Sequence, residues 1–437
     1  MEAHITKILI FTFGTLGDVQ PYVALGLALK ARRYDVTICT GQGFEDFIET
    51  HGLRSRSASI NYRELVQLQE VRERIHQGRR RFRASKPTQS LKRMQLFVQQ
   101  LPNEMLGVAR EIKPDLIISN ATGYLAHNIG RWMGIPSIPS MLQPMFAETR
   151  AFPPAVLPAL TFGKWGNLLA HRLINRTTRK AASEWAKGAF GSECPKVGSY
   201  IEGYHPRGSQ VPHLHGYSRH IIPKPSDWGA DEHITGYWML EQPRNWTPQE
   251  DLRTFLEGGQ PPVYVGFGSM PSMDARKLTE VVVRALANVG RRGVLATGWG
   301  ALEAGLHGPH VFHLNHAPHD WLFPRCAAVV HHGGAGTTHE GLRWGRATVI
   351  CPAGGNDQVF WGKRVAALGA GPKPLALRSV TADKLAKAIS FALDPAVLSR
   401  AQVLGEAIRN ENGAAAAADL IHQVMSAEPE LKRLSSG

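Results

Sequence analysis

Cysteine is scarce in this chain of 437 residues, and its four cysteines, at positions 39, 194, 326 and 351, form no CxxC pair. The sequence therefore predicts neither a disulfide framework nor a cysteine-based zinc site. No apolar run approaches the ~18 residues that a membrane-spanning helix needs. The N-terminus also lacks the basic and then apolar pattern of a signal peptide. We therefore expect a cytoplasmic protein.

Acidic residues are in the minority. The chain has 50 Lys and Arg against 36 Asp and Glu, a formal net charge of +14. This excess fits nucleic acid, anionic lipid or an anionic substrate. The hydrophobic content of 43% is ordinary and does not indicate disorder. At about 150 residues per domain, the length predicts two or three domains.

The first part of the chain alternates strands and helices as a parallel sheet requires. An apolar run at residues 7–13 predicts a buried strand, and a glycine loop follows at residues 14–18. A helix period extends over residues 19–30, and a second strand follows at residues 35–40. This order is typical of a doubly wound sheet. Further strands are predicted at residues 115–119 and 134–139.

A connector is predicted at residues 197–228, where Gly, Pro, His and Tyr are frequent and no period is sustained. The alternation then restarts. Strands are expected at residues 262–267, 293–297, 327–330 and 347–351, and helices at residues 275–289 and over most of residues 381–425. The sequence thus predicts an α/β protein with two halves of similar size that face each other across a cleft.

The segment from His331 to Thr338 indicates chemistry most clearly. It reads His-His-Gly-Gly-Ala-Gly-Thr-Thr between a predicted strand and a helix predicted at residues 337–344. Glycines let a phosphate approach the backbone, and a helix N-terminus offers free N–H groups and a partial positive charge. His332 and Thr337 add side-chain donors. The pattern indicates a diphosphate site, although a glycine turn also precedes helices for purely structural reasons.

A second glycine turn, Gly266-Phe-Gly-Ser-Met270, ends another predicted strand in the same half. Two such turns that converge on one site favour a nucleotide ligand. Several histidines lie between the turns, but they lack metal-ligand spacing beside a suitable carboxylate, and the chain contains no DxD motif. We therefore expect no metal site.

Two carboxylates are candidates for a catalytic or a sugar-binding role in the cleft. Asp18 follows a strand and a glycine loop, where it can take a proton from an acceptor hydroxyl or simply cap the next helix. Asp357 and Gln358 precede a helical stretch at residues 359–368 and can bind sugar hydroxyls. Asp357 can equally be the N-cap of that helix.

Five segments together resemble the sterol 3-β-glucosyltransferases, which are related to the antibiotic glycosyltransferases and the plant UDP-glycosyltransferases. They are residues 14–26, 268–270, 318–324, 331–338 and 357–362, in the order and spacing of that family. The resemblance implies a GT-B fold, in which two Rossmann-like domains face each other across a cleft. Residues 1–220 would bind the acceptor and residues 221–437 the nucleotide sugar, with a C-terminal helix that can pack back on the first domain.

The resemblance also implies roles for individual residues. Asp18 matches the catalytic base, and His332 matches a residue at the diphosphate. The other implied donor-site residues are Gly14, Gly17, Ser269, Ala317, Gly334, Ala335, Gly336, Thr337, Asp357 and Gln358. The implied co-substrate is UDP-glucose, with no metal or other cofactor. The implied reaction inverts the anomeric centre and gives a β-glucoside.

The acceptor is less well defined. Apolar and aromatic stretches at residues 143–154 and 157–165 can line a pocket or belong to the core. A sterol, a triterpenoid, a carotenoid or a macrolide would suit such a pocket. A UDP-sugar epimerase and a non-catalytic nucleotide-sugar or lipid-binding protein are the alternatives from other classes.

Part of the positive charge is concentrated between Arg72 and Arg93, where nine Lys or Arg accompany one acidic residue, Glu73. A solvated face explains such a run, and so does contact with an anionic membrane. From the second alternative we expect weak, salt-sensitive binding to the inner face of a membrane. Binding of nucleic acid is not predicted, because only the net charge supports it.

Overall fold

The computed structural model describes residues 5–62, 64, 89–157, 163–241, 246–268, 274–297, 301–305 and 308–434. Within these residues the chain forms two parallel β-sheets with helices packed on them, so the prediction of two Rossmann-like halves is confirmed. Ser269 lies outside the described residues. The basic segment between Arg72 and Arg93 lies outside them too, apart from the helical backbone that begins at residue 89.

In the described part of the chain, seven parallel strands form the first sheet, in the order β3-β2-β1-β4-β5-β6-β7. The strands are β1 (Lys7–Phe11), β2 (Asp35–Gly41), β3 (Arg54–Ala58), β4 (Leu116–Ser119), β5 (Ser137–Met141), β6 (His213–His215) and β7 (Glu232–Ile234). The helices between them are α1 (Leu16–Lys30), α2 (Glu45–Thr50), α3 (Gln89–Ile112), α4 (Ala126–Met133) and α5 (Gly163–Phe190). Ile8, Leu9 and Ile10 are fully buried, as a central parallel strand covered on both faces requires.

The second sheet has the order β10-β9-β8-β11-β12. Its strands are β8 (Val263–Gly266), β9 (Gly293–Ala296), β10 (Val311–Leu314), β11 (Ala328–His331) and β12 (Ala347–Ile350). The helices of this part are α6 (Glu250–Glu257), α7 (Ala275–Asn288), α8 (His319–Leu322), α9 (Ala335–Arg343), α10 (Asn356–Ala367), α11 (Ala382–Ala392), α12 (Pro395–Arg409) and α13 (Gly413–Leu434). Short 3-10 turns occur at Ala121–Gly123, Gly191–Glu193, Tyr200–Glu202, Phe323–Arg325 and Leu377–Ser379.

Both sheets reverse their strand order at the same relative place. The first strand of each sheet lies inside it, and the chain builds one side before it crosses to the other. In the first sheet the reversal lies between β1 and β4, where Ile8 is level with Leu116. In the second sheet it lies between β8 and β11, where Val263 is level with Ala328. Open α/β sheets bind ligands beyond the carboxyl ends of strands at such a reversal.

The predicted connector is partly wrong, because it contains β6, which pairs with β5 and β7 in the first sheet. A strand of three residues is too short to show a period in the sequence. β7 lies beyond residue 220, so the expected domain boundary falls inside the segment that builds the first sheet. We therefore propose a boundary after Ile234 and before Val263.

The last helix, α13, returns to the first domain and packs against α1. Ala417, Ala418 and Ile421 are buried in the same apolar cluster as Ile8 and Val23. An ion pair on the surface also joins Arg32, just beyond the end of α1, to Asp419 of α13. The chain therefore leaves the second domain to complete the core of the first.

Side chains also join the two domains along the cleft. The Asn356 side-chain amide donates to the Val156 carbonyl at 3.1 Å, and the Arg364 guanidinium donates to the Ile221 carbonyl at 2.6 Å. These bonds fix α10 against the first domain. Among the described residues, no helix combines the length and apolarity that crossing a membrane requires.

Candidate active site

The loop after β1 places Asp18 at the first crevice. α1 begins at Leu16, earlier than predicted, because Thr15 and Asp18 form a capping box. The Thr15 backbone N–H donates to Asp18 Oδ2 at 2.8 Å, and its hydroxyl donates to the same oxygen at 3.3 Å. Thr15, not Asp18, is therefore the N-cap. Within the described residues, no hydrogen bond reaches Asp18 Oδ1.

Neighbouring groups hold this loop in one conformation. The Asn120 side-chain amide donates to the Phe13 carbonyl at 3.1 Å, and the Thr12 hydroxyl donates to the Asp18 carbonyl at 2.8 Å. Gly14 has a φ of +147°, and a Cβ there would collide with the Asp18 carboxylate. Gly17 is exposed in the first turn of α1, beside Asp18. Contacts from the local sequence and from the distant Asn120 together fix the position of the carboxylate.

Asp18 is a poor acid but a competent base near neutral pH. Burial raises the pKa of its carboxyl to about 6, although the hydrogen bonds from Thr15 lower it. The charge of Asp357 raises it further, so the two carboxylates lie close enough to repel each other. Asp357 belongs to the second domain, and Asp18 therefore faces that domain across the cleft.

The second crevice presents the N-terminus of α9. Gly334 is the N-cap, and no side chain caps the helix. The first N–H groups of a helix have no acceptor within it, so those of Ala335, Gly336 and Thr337 are available to an anion. The Thr338 hydroxyl donates to the Gly334 carbonyl at 2.8 Å, whereas no such bond is formed by Thr337 within the described chain. This helix end has the form of a phosphate site.

His332 lies between the two glycine turns. A Cβ on Gly268 would be 2.9 Å from its Cε1, and one on Gly334 would be 2.7 Å from its Nε2. Glycine at both positions therefore leaves room for the ring. Burial lowers the pKa of His332 to about 4, so the ring is neutral at pH 7. Its Nδ1 is buried without a hydrogen-bond partner in the described part of the chain, and it is free to bind a ligand.

Asp357 and Gln358 lie in the first turn of α10, where the N-cap is Gly355. The hypothesis that Asp357 is the N-cap is therefore wrong. Burial raises the pKa of Asp357. Gln358 Oε1 accepts a bond from the Ala353 N–H at 2.8 Å, which orders the loop before the helix and leaves the amide NH₂ of Gln358 for other contacts. Ala317 is buried beside α8.

Sequence reasoning missed Tyr237. Its ring stacks on His339 of α9, with centroids 4.4 Å apart, and a Cβ on Gly336 would be 3.0 Å from its hydroxyl. Burial raises the pKa of Tyr237, and the charges of Glu340 and Asp18 raise it further. The hydroxyl therefore lies beside the N-terminal turn of α9, within electrostatic range of the candidate base. No period in this part of the sequence could have placed it there.

Glu340 was also missed. It follows Gly336 by one helical turn, so both residues lie on the same face of α9. Burial raises the pKa of Glu340 to about 7. Its Oε2 is buried without a hydrogen-bond partner among the described residues, which suits it to a ligand hydroxyl. The helical spacing is the signal that could have identified it.

Some residues of the stretches that were predicted to line the acceptor pocket do not lie at the cleft. Phe146 is fully buried in a cluster with Tyr200, so it belongs to the core. Trp165 is 69% exposed on α5. Phe152 instead packs near Phe360 of α10, with centroids 6.1 Å apart, and so lies where the domains meet. Within the described ranges, no group of three or more His, Cys, Asp or Glu side chains is arranged to hold a metal ion.

Comparison with known proteins shows which family this chain belongs to. Residues 8–124 match the N-terminal domain of glycosyltransferase family 28, and residues 302–424 match the erythromycin biosynthesis protein CIII-like C-terminal domain. The sterol 3-beta-glucosyltransferase UGT80B1 of Arabidopsis thaliana is 32% identical over 98% of this chain, which covers 70% of the plant protein. This chain belongs to the sterol 3-beta-glucosyltransferase family. It is therefore a glycosyltransferase, as predicted.

Other members of the sterol 3-beta-glucosyltransferase family extend further than this chain. UGT80A2 of the same plant is 33% identical over 94% of the chain, which spans 64% of that protein. An enzyme of Cryptococcus neoformans is 30% identical over 95% of the chain, which spans 27% of it. The shared part is the region that contains both crevices.

Solved structures show the fold. The calicheamicin glycosyltransferase CalG4 is 17% identical and superposes with a TM-score of 0.69, covering 97% of this chain and 99% of that one. The Streptomyces glycosyltransferase SsfS6 complexed with thymidine diphosphate is 18% identical, with a TM-score of 0.58 and coverage of 96% and 99%. The predicted GT-B fold is confirmed.

Proposed function

We propose that this chain transfers glucose from UDP-glucose to a hydroxyl of a sterol or a similar hydrophobic polycyclic alcohol, giving a β-glucoside. One observation carries the proposal: a half-buried carboxylate, Asp18, lies close to Asp357 of the second domain, and that domain also presents the uncapped N-terminus of α9 and a His332 nitrogen without a partner among the described residues. A glycosyl transfer needs a base for the acceptor on one side and stabilisation of the leaving diphosphate on the other. The named relatives, which are sterol 3-beta-glucosyltransferases, support the choice of substrates.

The acceptor would be activated by Asp18. As its oxygen forms a bond to the anomeric carbon, the acceptor hydroxyl gives its proton to Asp18 Oδ1, the oxygen that Thr15 leaves unoccupied. A carboxyl with a pKa of about 6 is ionised at pH 7 yet basic enough to take that proton. The bond between the anomeric carbon and the diphosphate oxygen breaks on the opposite face. The anomeric configuration is therefore inverted.

The departing UDP would be stabilised by α9. The N–H groups of Ala335, Gly336 and Thr337 and the positive end of the helix dipole meet its growing negative charge. The neutral His332 ring donates a hydrogen bond, and the Thr337 hydroxyl donates another. With these donors the reaction requires no metal ion. Ser269 and the exposed Gly17 would lie near the same phosphates, and Gly14 would keep the loop open.

The sugar and the nucleoside would meet the remaining polar residues. Asp357 would accept hydrogen bonds from glucose hydroxyls, and the Gln358 amide would donate to them. The unpartnered oxygen of Glu340 suits a ribose hydroxyl. Ala317 would lie against the uracil. We propose no nucleic-acid partner, because the proposed anion site is a helix N-terminus inside a cleft.

A natural product is the second candidate acceptor. The C-terminal match to an erythromycin biosynthesis protein favours a macrolide, and a carotenoid or another natural product is a further candidate. Both candidates are hydrophobic alcohols. Both would use the same base and the same donor site, so the choice between them depends only on the residues that line the acceptor pocket.

The test is incubation of the purified protein with UDP-glucose and a panel of sterols, triterpenoids and macrolides, followed by mass spectrometry for a hexose gain. We expect a gain on sterols. A gain on macrolides alone would move the assignment to the second candidate. Epimerisation of the UDP-sugar with no gain on any acceptor would overturn the proposal. UDP-galactose and dTDP-glucose, supplied in parallel, test the choice of donor.

A further inference from the structure

The outward face of α5 carries an apolar stripe. Trp165, Leu169 and Leu173 follow one another at intervals of four residues and are 69%, 58% and 54% exposed. This spacing places them on one side of the helix. The three other large apolar side chains that are exposed in the described part of the chain, Ile5, Phe391 and Val403, lie on other elements. Grouped apolar exposure of this kind marks an interaction surface.

The same helix is strongly basic. Its exposed charged residues are Lys164, Arg172, Arg176, Arg179, Lys180 and Lys187, against one acid, Glu184. Arg172 pairs with Glu148, and Lys180 pairs with Glu184. Arg176 and Arg179 form no ion pair within the described residues. An apolar stripe continued by cations complements a surface of anionic headgroups over acyl chains.

The inner face of α5 contacts a segment of the chain that extends to the cleft. His171 is buried, with its Nδ1 2.9 Å from the Met145 carbonyl oxygen and its Nε2 3.2 Å from that of Phe152. The segment that these carbonyls belong to ends at Val156, which accepts the bond from Asn356 beside Asp357. One short stretch of chain therefore separates the outward face of α5 from the donor site.

We propose that the outward face of α5 docks the protein on an anionic lipid bilayer, with Trp165, Leu169 and Leu173 inserted at the headgroup boundary. The cations of the same helix bind lipid phosphates. This deepens the proposed function, because a sterol is held in a bilayer and a docked enzyme collects it there without carrying it through water. The docking surface differs from the basic segment between Arg72 and Arg93.

Docking is tested by flotation of the full chain with vesicles of phosphatidylcholine alone or with 30% phosphatidylglycerol. We expect about tenfold tighter binding to the anionic vesicles, lost at high salt. Trp165→Ser with Leu169→Ser and Leu173→Ser should weaken that binding at least tenfold, and so should Arg176→Glu with Arg179→Glu. The control, Phe391→Ser with Val403→Ser, removes equally exposed apolar side chains elsewhere and should bind like the unaltered chain.

Three results would overturn the docking proposal. They are equal binding to neutral and anionic vesicles, no binding to either, and unchanged binding by both α5 variants. All substituted side chains are exposed, and circular dichroism verifies the fold of each variant. If the α5 face instead contacts a second copy of this chain, light scattering will show a dimer that the apolar substitutions dissociate while vesicle binding is absent.

A second measurement separates this proposal from the proposed function. Glucosylation is followed with the sterol embedded in anionic vesicles and with the sterol dissolved in cyclodextrin. The apolar α5 variant should lose at least tenfold in rate on vesicles and stay within twofold of the unaltered chain in cyclodextrin. Equal loss in both would contradict docking. No turnover by the unaltered chain in either form, with anionic vesicles still bound, would overturn the proposed function alone.

Discussion

In the proposed mechanism, the carboxyl group of Asp18 has both a structural and a chemical role. Its Oδ2 closes the first turn of α1 through Thr15, and this bond fixes the direction in which Oδ1 points. A base that had no such anchor would lose entropy each time it reacted. Asp18 is the N3 residue of the capping box and not the N-cap that the sequence suggested, and this structural role is compatible with the role of a base.

Asp18→Asn separates the two tasks. The amide oxygen of Asn can still accept from Thr15, but the side chain can no longer take a proton. We expect turnover to fall by about 10²-fold or more. Binding of UDP, measured by calorimetry, should stay unchanged. Asp394→Asn, at the N-cap of α12, is the matched control and should leave turnover intact. If turnover survives in Asp18→Asn, the role of this residue is confined to the capping box.

The raised pKa of Asp18 predicts the acid limb of the pH profile. The base must be ionised, so kcat/KM should rise with pH through about 6 and then level off. An ordinary aspartate, with a pKa of 3.8, would still be ionised at pH 5. Asp357→Asn removes a repelling charge and should move the limb to lower pH. A limb that stays below pH 5 in the unaltered chain would contradict the assignment.

At the scale of the element, we assign the diphosphate to the N-terminus of α9 because no side chain among the described residues caps that helix. Gly334 supplies the N-cap position without a side chain, and the following residues are small. A Ser or Asp at the cap would compete with the ligand for the same N–H groups. The absence of a cap weakens an ordinary helix, but it leaves these N–H groups available for the ligand that we propose.

Two adjacent threonines in α9 allow a matched test. Thr337→Val removes a hydroxyl that we assign to the diphosphate, and UDP should bind about tenfold more weakly, as expected for a hydrogen bond to a charged group. Thr338→Val removes a hydroxyl that bonds the Gly334 carbonyl within the helix, and UDP affinity should change less than twofold. Isothermal calorimetry measures both. Equal losses would mean that the effect comes from the helix and not from the ligand.

At the scale of the whole molecule, the chain crosses between its domains more than once. The first domain takes its last helix, α13, from the C-terminus, and Ile421 is fully buried there. Tyr237 and Asn356 meet the opposite domain near the cleft. The relative position of Asp18 and α9 therefore depends on residues far from both in the sequence.

Ile421→Ala tests this interdependence. The change creates a cavity in the core of the first domain and should lower the free energy of unfolding by about 2–5 kcal/mol. Asp419→Ala, on the same helix, breaks a surface ion pair with Arg32 and should cost at most about 1 kcal/mol. Thermal and urea unfolding measure the difference. If Ile421→Ala costs no more than Asp419→Ala, α13 does not complete that core.

The sequence predicts the central strands and the glycine turns well because their signals are local. An apolar run marks β1, and a glycine string marks the start of α9. β6 and β7 have only three residues each and show no period, so β6 takes its place by pairing with β5, and β7 by pairing with β6. Tyr237 enters the candidate site for the same reason, since the fold and not the local sequence carries it there.

The sequence by itself determined that the chain has two Rossmann-like halves, a glycine-rich turn before a helix and an acidic residue after the first strand. These features depend on neighbours a few residues apart, which a sequence displays directly. Only the tertiary structure decided that Asp18 faces Asp357, that His332 keeps a free nitrogen and that the apolar side chains of α5 point outward. Each of those facts depends on burial and on contacts between distant segments, which exist only once the chain has folded.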